Sequence, residues 1–199
     1  MKLANFTLEQ LKELPLRAIV AFAARCARRV EPLAQLPDGN AQRETRRKAV
    51  EAALRMADSF ARGTDAPPDE SVVATIDANR EAGGETANVD AVSAIAQAAH
   101  AAASAAHARS QAEENRTPGE HTFEAGRSLG ALTHVTADIA AMNAYTAAAA
   151  AFLSVGYRNE DFVDSALRDY DKLLRLKLGR YPELGAPVDP SPGGPLGLL

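Results

Sequence analysis

Forty-three of the 199 residues are alanine, and they crowd into two blocks: twelve of the 22 positions from 91 to 112, and nine of the 15 from 137 to 151. Alanine is the best helix former and adds almost no side-chain bulk. Two long helices rich in it can approach backbone to backbone more closely than helices that meet through leucine. The blocks therefore predict a tightly packed helical protein with few large core side chains, held by alanine packing and not by metal or disulfide. They name no reaction.

A chain of this length with 46% hydrophobic residues can bury one substantial core. The one cysteine, Cys26, cannot form an internal disulfide, which fits a reducing compartment. Residues 1–6 lack an apolar run behind a basic start, so no secretory leader is expected. The most apolar early run, Leu14 to Ala24, is too short to cross a bilayer and contains Arg17. The expected setting is cytoplasmic, with no membrane partner. The net charge of −4 is unevenly distributed: residues 1–62 hold 12 Lys and Arg against 7 Asp and Glu, and residues 63–199 hold 10 against 19. A basic first third beside an acidic remainder suits an electrostatic partner surface, or attraction between two parts of one fold.

Helix signals follow one another along the chain. Thr7 and Gln10 have capping-box spacing. After Pro15, residues Leu16, Ile19, Ala23, Cys26, Val30 and Leu33 recur at three and four, a single apolar face that ends at Pro37, Asp38 and Gly39. A second helix from about residue 40 carries Val50, Leu54, Ala57 and Ala61 to a stop at Gly63, and the short connection predicts an antiparallel hairpin. A shorter helix begins at Ala66 to Asp69 and ends at Gly83 and Gly84. A fourth runs from about Asn88 to Gln111, before a break at Thr117, Pro118 and Gly119. The fifth is the longest, with Leu132, Val135, Ile139, Met142, Thr146, Ala149 and Leu153 in strict heptad spacing. Gly156 closes it, and Asn159 caps a sixth that runs through Val163, Leu167, Tyr170 and Leu174 towards Gly179. No stretch alternates with period two for long enough to form a strand. Residues 180–199 hold five prolines and four glycines and are expected to form either an extended arm lying on the body or a disordered tail. The organisation read from these signals is an all-α single-domain bundle of five to six helices over residues 1–179, followed by an irregular Pro/Gly-rich tail over 180–199.

The phrase from Leu16 to Val30, with Arg25, Cys26, Arg28 and Arg29, together with the second helix from Arg47 to Ala61, resembles a group of uncharacterised alanine-rich all-helical proteins of planctomycete-type bacteria. The resemblance covers residues 14–62, and residues 91–151 by composition. It implies a helical fold and a bacterial origin, and no activity.

Motifs that carry chemistry are missing from the chain. A carboxylate-bridged metal bundle needs Glu-x-x-His units, which put both ligands on one helix face. The positions three before His100, His107, His121 and His134 are Gln97, Ser104, Pro118 and Ala131. No two histidines are three or four apart, and His100 and His107 are separated by about 10 Å of helical rise, too far for one ion. No metal ligand or cofactor is therefore assigned. Cys26 has cationic neighbours that would lower a thiol pKa, yet it falls on the apolar face with Ala23 and Val30 and reads as core. No phosphate loop, nucleophile elbow or zinc-protease helix is present.

The binding candidates are charged and apolar surfaces. Arg25, Arg28 and Arg29 on the first long helix and Arg43, Arg46, Arg47 and Lys48 on the second flank one turn, so Arg28, Arg29, Arg46 and Arg47 are expected to gather positive charge at the hairpin end. In the tail, Leu184, Val188 and Leu196 are apolar anchors on a backbone stiffened by proline, which lowers the entropy lost on docking. The tail is expected to lie in a groove, on this chain's own helices or on a partner. These features suit a non-enzymatic helical protein-interaction module, an adaptor, inhibitor or regulatory partner of a bacterial effector, acting through a protein partner or self-association. The alternatives are a nucleic-acid-binding protein using the basic hairpin end, and a small metal-binding bundle or enzyme with dispersed ligands.

Overall fold

The computed structural model describes residues 6–64, 70–81, 88–116, 123–156 and 159–199. Seven α-helices lie among them: α1 (Leu8–Leu11), α2 (Leu16–Val30), α3 (Arg43–Ala61), α4 (Glu70–Glu81), α5 (Val89–Arg116), α6 (Phe123–Ser154) and α7 (Glu160–Arg175). A 3-10 turn, Glu31–Ala34, follows α2. The protein is an all-α bundle. Its helix count exceeds the expected five to six because the capping box at Thr7, complete with the reciprocal Gln10 bond, closes a four-residue helix of its own. The expected helix start at 66–69 and the expected breaks at 83–84 and 117–119 lie outside the described residues. No helix among the described residues is long and apolar enough to cross a membrane.

The centre of the bundle is α2. Its apolar face predicts a helix with one side exposed, but twelve of its fifteen residues are buried. Four of the seven buried positions off that face are alanines (Ala18, Ala21, Ala24, Ala27), and they leave room for neighbours. Helices α3, α5, α6 and α7 all pack against it. The helix ends at Val30, short of the expected Leu33, because Pro32 has no N–H to continue the ladder and the chain tightens into the 3-10 turn. Leu33 is exposed there. Phe6, Phe22 and Tyr170 form an aromatic cluster at the opposite end, with Phe6 edge-on to Tyr170 at 5.1 Å between ring centroids and 5.5 Å from Phe22. The Tyr170 hydroxyl donates to the Gln10 carbonyl at 2.8 Å, so α1 is tied to α7.

The α5–α6 pair is the most extensive helix contact in the bundle. On α6 the buried residues include Ala137, Ala140, Ala141, Ala144, Ala147, Ala148 and Ala151. On α5 they are Ala94, Ala98, Ala101, Ala105 and Ala108, among others, whereas Ala103 and Ala106 are only partly covered. Of the alanines at 99, 103 and 106, which recur at four and three along α5, Ala99 is buried and Ala103 and Ala106 lie at the edge of the packed face. On α6 the outcome is more consequential: the heptad residues Val135, Ile139, Met142 and Leu153 all point out to solvent. The packed face is the small one, because small side chains let the backbones meet.

Overpacking the α6 alanine face should cost stability, while adding bulk on the heptad face should not. Ala144→Leu is expected to lose about 1–3 kcal/mol, read as a lower denaturant midpoint. Ala149→Leu, on the exposed face, is expected to leave the midpoint near wild type. Equal effects would mean that the two faces are packed alike.

Candidate interaction surface

The four arginines expected at the hairpin end do not converge on an open patch. Arg28 bonds the Asp58 carboxylate on α3 and lies 3.9 Å from Glu31. Arg29 Nη2 donates to Asp169 Oδ2 on α7 at 2.6 Å. Arg46 is buried, and desolvation holds its guanidinium below the usual arginine range. Arg47 stays on the outer face of α3, donating to both Glu44 oxygens at 2.9 and 2.7 Å and reaching Glu51 at 3.6 Å. Its hydrogen bond pulls the Glu44 carboxyl down to about 2. The basic first third and the acidic remainder thus meet inside the molecule at Arg25, Arg29 and Asp169.

That meeting point also holds the tail. Arg25 is fully buried, with Nε donating to Asp169 Oδ2 at 2.7 Å. Its Nη1 donates to the carbonyls of Pro190 at 3.0 Å and Gly197 at 2.9 Å, and Nη2 donates to Leu198 O at 2.9 Å. A planar guanidinium can direct several donors at once to fixed acceptors, so one side chain folds the arm back on itself. Lys172 Nζ adds a bond to the Leu196 carbonyl. Further along, the arm satisfies helix ends. The N–H groups of Leu16 and Arg17, orphaned in the first turn of α2, donate to the Glu183 and Leu184 carbonyls at 2.9 Å each. The Val188 N–H donates to Ala61 O, at the end of α3, at 2.9 Å. Gly185 takes φ +78, and a Cβ there would lie 2.5 Å from Pro15, so only glycine fits this crossing. Val188 and Leu196, expected as anchors, are buried in this chain's own core, and Leu184 is half-buried against α2 and α5.

Two cavities lie near these elements. One of about 240 Å³ is bounded by Leu16, Arg109, Glu113, Thr133 and Leu184. The other, about 430 Å³, lies between Arg28, Arg29, Asn159, Asp161 and Ser165. Of its two arginines, Arg28 pairs with Asp58, and Arg29 shares Asp169 with Arg25. Cys26 is buried, and burial pushes its thiol up to about 12, which makes it a poor nucleophile. His100 Nε2 lies 2.9 Å from Asp77, while His134 is exposed and His121 lies outside the described residues. No group of three or more potential metal ligands occurs among the described residues.

The surface that stands out is apolar. Val135 is 55% exposed, Ile139 48%, Met142 49% and Leu153 40%, and all four lie on one face of α6 with Thr146 and Ala149 between them. From residue 131 to 154 the only charged residue is Asp138. It is held by Lys12 at 2.8 Å and by the Tyr181 hydroxyl, which together keep its carboxyl below the usual range. Contiguous apolar patches of this kind on a folded chain mark interaction sites. The heptad spacing signals this face in the sequence, but the direction it points does not follow from spacing. The Arg25–Asp169 hub had a fainter signal: Asp169 interrupts an apolar face built from Phe162, Ala166, Tyr170 and Leu173, all buried.

No family model, curated protein or solved structure matches this chain.

The hub generates a test. Arg25→Lys keeps a charge and loses the fork, so proteolysis between residues 185 and 198 should become faster than in wild type. Arg25→Met leaves Asp169 with Arg29 alone and the Pro190, Gly197 and Leu198 carbonyls without this donor, and should cost about 1–3 kcal/mol of stability. Unchanged protection in Arg25→Lys would mean that Val188 and Leu196 hold the arm without the guanidinium.

Proposed function

We propose that this chain is a non-enzymatic helical protein-interaction module, of the adaptor, inhibitor or regulatory class, and that it contacts its partner through the heptad face of α6. The observation that carries the reading is the row of four large, roughly half-exposed apolar side chains at heptad spacing on a nearly uncharged helix. Fully burying one such side chain contributes about 1.5–3 kcal/mol, so covering the exposed half of each contributes roughly half of that. Among the described residues, the alanines carry the packing on the other side of α6. A facing helix would explain the size and spacing of the four large side chains together.

The hairpin arginines and the tail support a binding role less well. Arg28, Arg29 and Arg47 are matched by carboxylates of the same chain, and Val188 and Leu196 are covered by it. The same pairing weakens the nucleic-acid alternative, which relies on arginines available to phosphate.

Affinity purification from the native cell, comparing wild type with Ile139→Glu/Met142→Glu and with Arg47→Glu, tests the reading. A stoichiometric complex, with another protein or with a second copy, should survive Arg47→Glu and be lost from the double variant. A complex that the double variant keeps and Arg47→Glu loses would move the binding site to the hairpin and overturn the assignment.

A further inference from the structure

We infer that the occupant of the α6 face is a second copy of this chain, its α6 packed antiparallel against the first across a two-fold axis. The inference rests on the interaction reading above and deepens it. It begins with the spacing. The heptad starts at Leu132, whose side chain lies outside the described residues; from Val135 to Leu153 the residues Val135, Ile139, Met142, Thr146, Ala149 and Leu153 are separated by four, three, four, three and four positions, a run that reads the same in both directions. An antiparallel copy therefore meets every position with its counterpart in register. The axis falls midway between Met142 and Thr146.

Size is the second argument. In that register Met142 faces Thr146 of the other copy, Ile139 faces Ala149, and Val135 faces Leu153. The first half of the stripe is bulky, and the second half is small except at its last position. Antiparallel pairing sets bulk against space at the two inner positions, which keeps the two helices at an even separation. Parallel pairing would put Met142 on Met142 and Ala149 on Ala149, crowding one end and leaving a gap at the other. Interfaces of two-fold dimers are self-complementary in this way, each patch meeting itself.

Charge is the third. A partner of opposite charge would be recognised by charges on this face, but Asp138 is the only one between residues 131 and 154 and is held by Lys12 and Tyr181. Two copies can meet without like-charge repulsion. A lipid surface is disfavoured by the same fact, since helices that lie on membranes flank their apolar face with lysine or arginine. One flank of the stripe is polar and already anchored, with Thr136 donating to Gln111 at 3.0 Å and Asn143, seven positions on and on the same side, to Ser104 at 3.5 Å. The seam therefore has a polar border along that flank, as protein interfaces have at their rims. From Val135 to Leu153 the seam spans about 27 Å of helix, long enough for a continuous contact.

Sedimentation velocity of the purified full chain at micromolar concentrations is the test, with circular dichroism on the same samples. The expected species has twice the 21.0 kDa chain mass, and Met142→Glu shifts it to the monomer with helicity unchanged. Direction is read by cysteine pairing: a mixture of Ile139→Cys and Ala149→Cys chains should form the crossed disulfide, while Ile139→Cys alone should not link to itself. A dimer that survives Met142→Glu, or one that links 139 to 139, overturns the antiparallel α6 dimer. A monomer at every concentration overturns it too. If that monomer then binds a different protein or neutral phosphatidylcholine vesicles, and Met142→Glu abolishes the binding, the interaction reading stands with another occupant. If Met142→Glu changes no binding at all, that reading falls as well.

Discussion

The close approach of alanine-rich helices is the constraint on which the rest of this structure depends. When two helices meet through methyl groups, the contact is made largely by backbone and Cβ atoms, and the usual rule that large apolar residues face inward is relaxed. α6 shows the result directly: among its described residues eight alanines are buried, while Val135, Ile139, Met142 and Leu153 are exposed. The central helix α2 shows the same principle from the other side, with alanine at most positions that a less crowded helix would leave to solvent. Packing of this kind tolerates little added volume. It also leaves Val135, Ile139, Met142 and Leu153 outside the packed face.

A bundle with a small-residue core has few large side chains to lock its periphery. Arg25 compensates. Buried at the centre of α2, it joins Asp169 of α7 to three carbonyls of the arm, and the arm in turn covers the start of α2 and the end of α3. Burying a guanidinium is costly unless its donors are matched, and here the Asp169 carboxylate and the arm's own backbone supply the acceptors. The consequence for function is one of exclusion. Arg28, Arg29, Val188 and Leu196, which would be open on an isolated hairpin and a free tail, are engaged within the chain, while Val135, Ile139, Met142 and Leu153 stay exposed.

Much of this was legible in the sequence, and the parts that were not share a physical cause. Helix existence followed from alanine content, capping residues and glycine stops: the Thr7–Gln10 box, the Asn159 cap and the left-handed Gly63 and Gly156 all stand where their residue types predict. Terminal positions were less secure. The last helix ends at Arg175, with Lys177 rather than Gly179 taking the first left-handed conformation after it. Facing was the real difficulty. Periodicity says which residues share a side of a helix, but in an alanine-rich helix the two sides compete, and small residues on one can outweigh large residues on the other. The Arg25–Asp169 pair spans 144 positions of sequence, and no local pattern connects its members; only the presence of a charge on an otherwise apolar face marks each of them. The arginine clusters were visible as clusters, but their partners on α3 and α7 were not.

The central claim is that α6 is turned with its alanines in and its large residues out, and thiol labelling of neighbouring positions addresses it most directly. Cysteine placed at position 139 or at position 140, each in the Met142→Glu background that keeps the face open, samples the two sides of the helix one residue apart, with buried Cys26 as the internal blank. The account predicts that Ile139→Cys reacts with a maleimide at the rate of an exposed thiol and that Ala140→Cys reacts only as the protein unfolds. Equal rates, or faster labelling of Ala140→Cys, would contradict it.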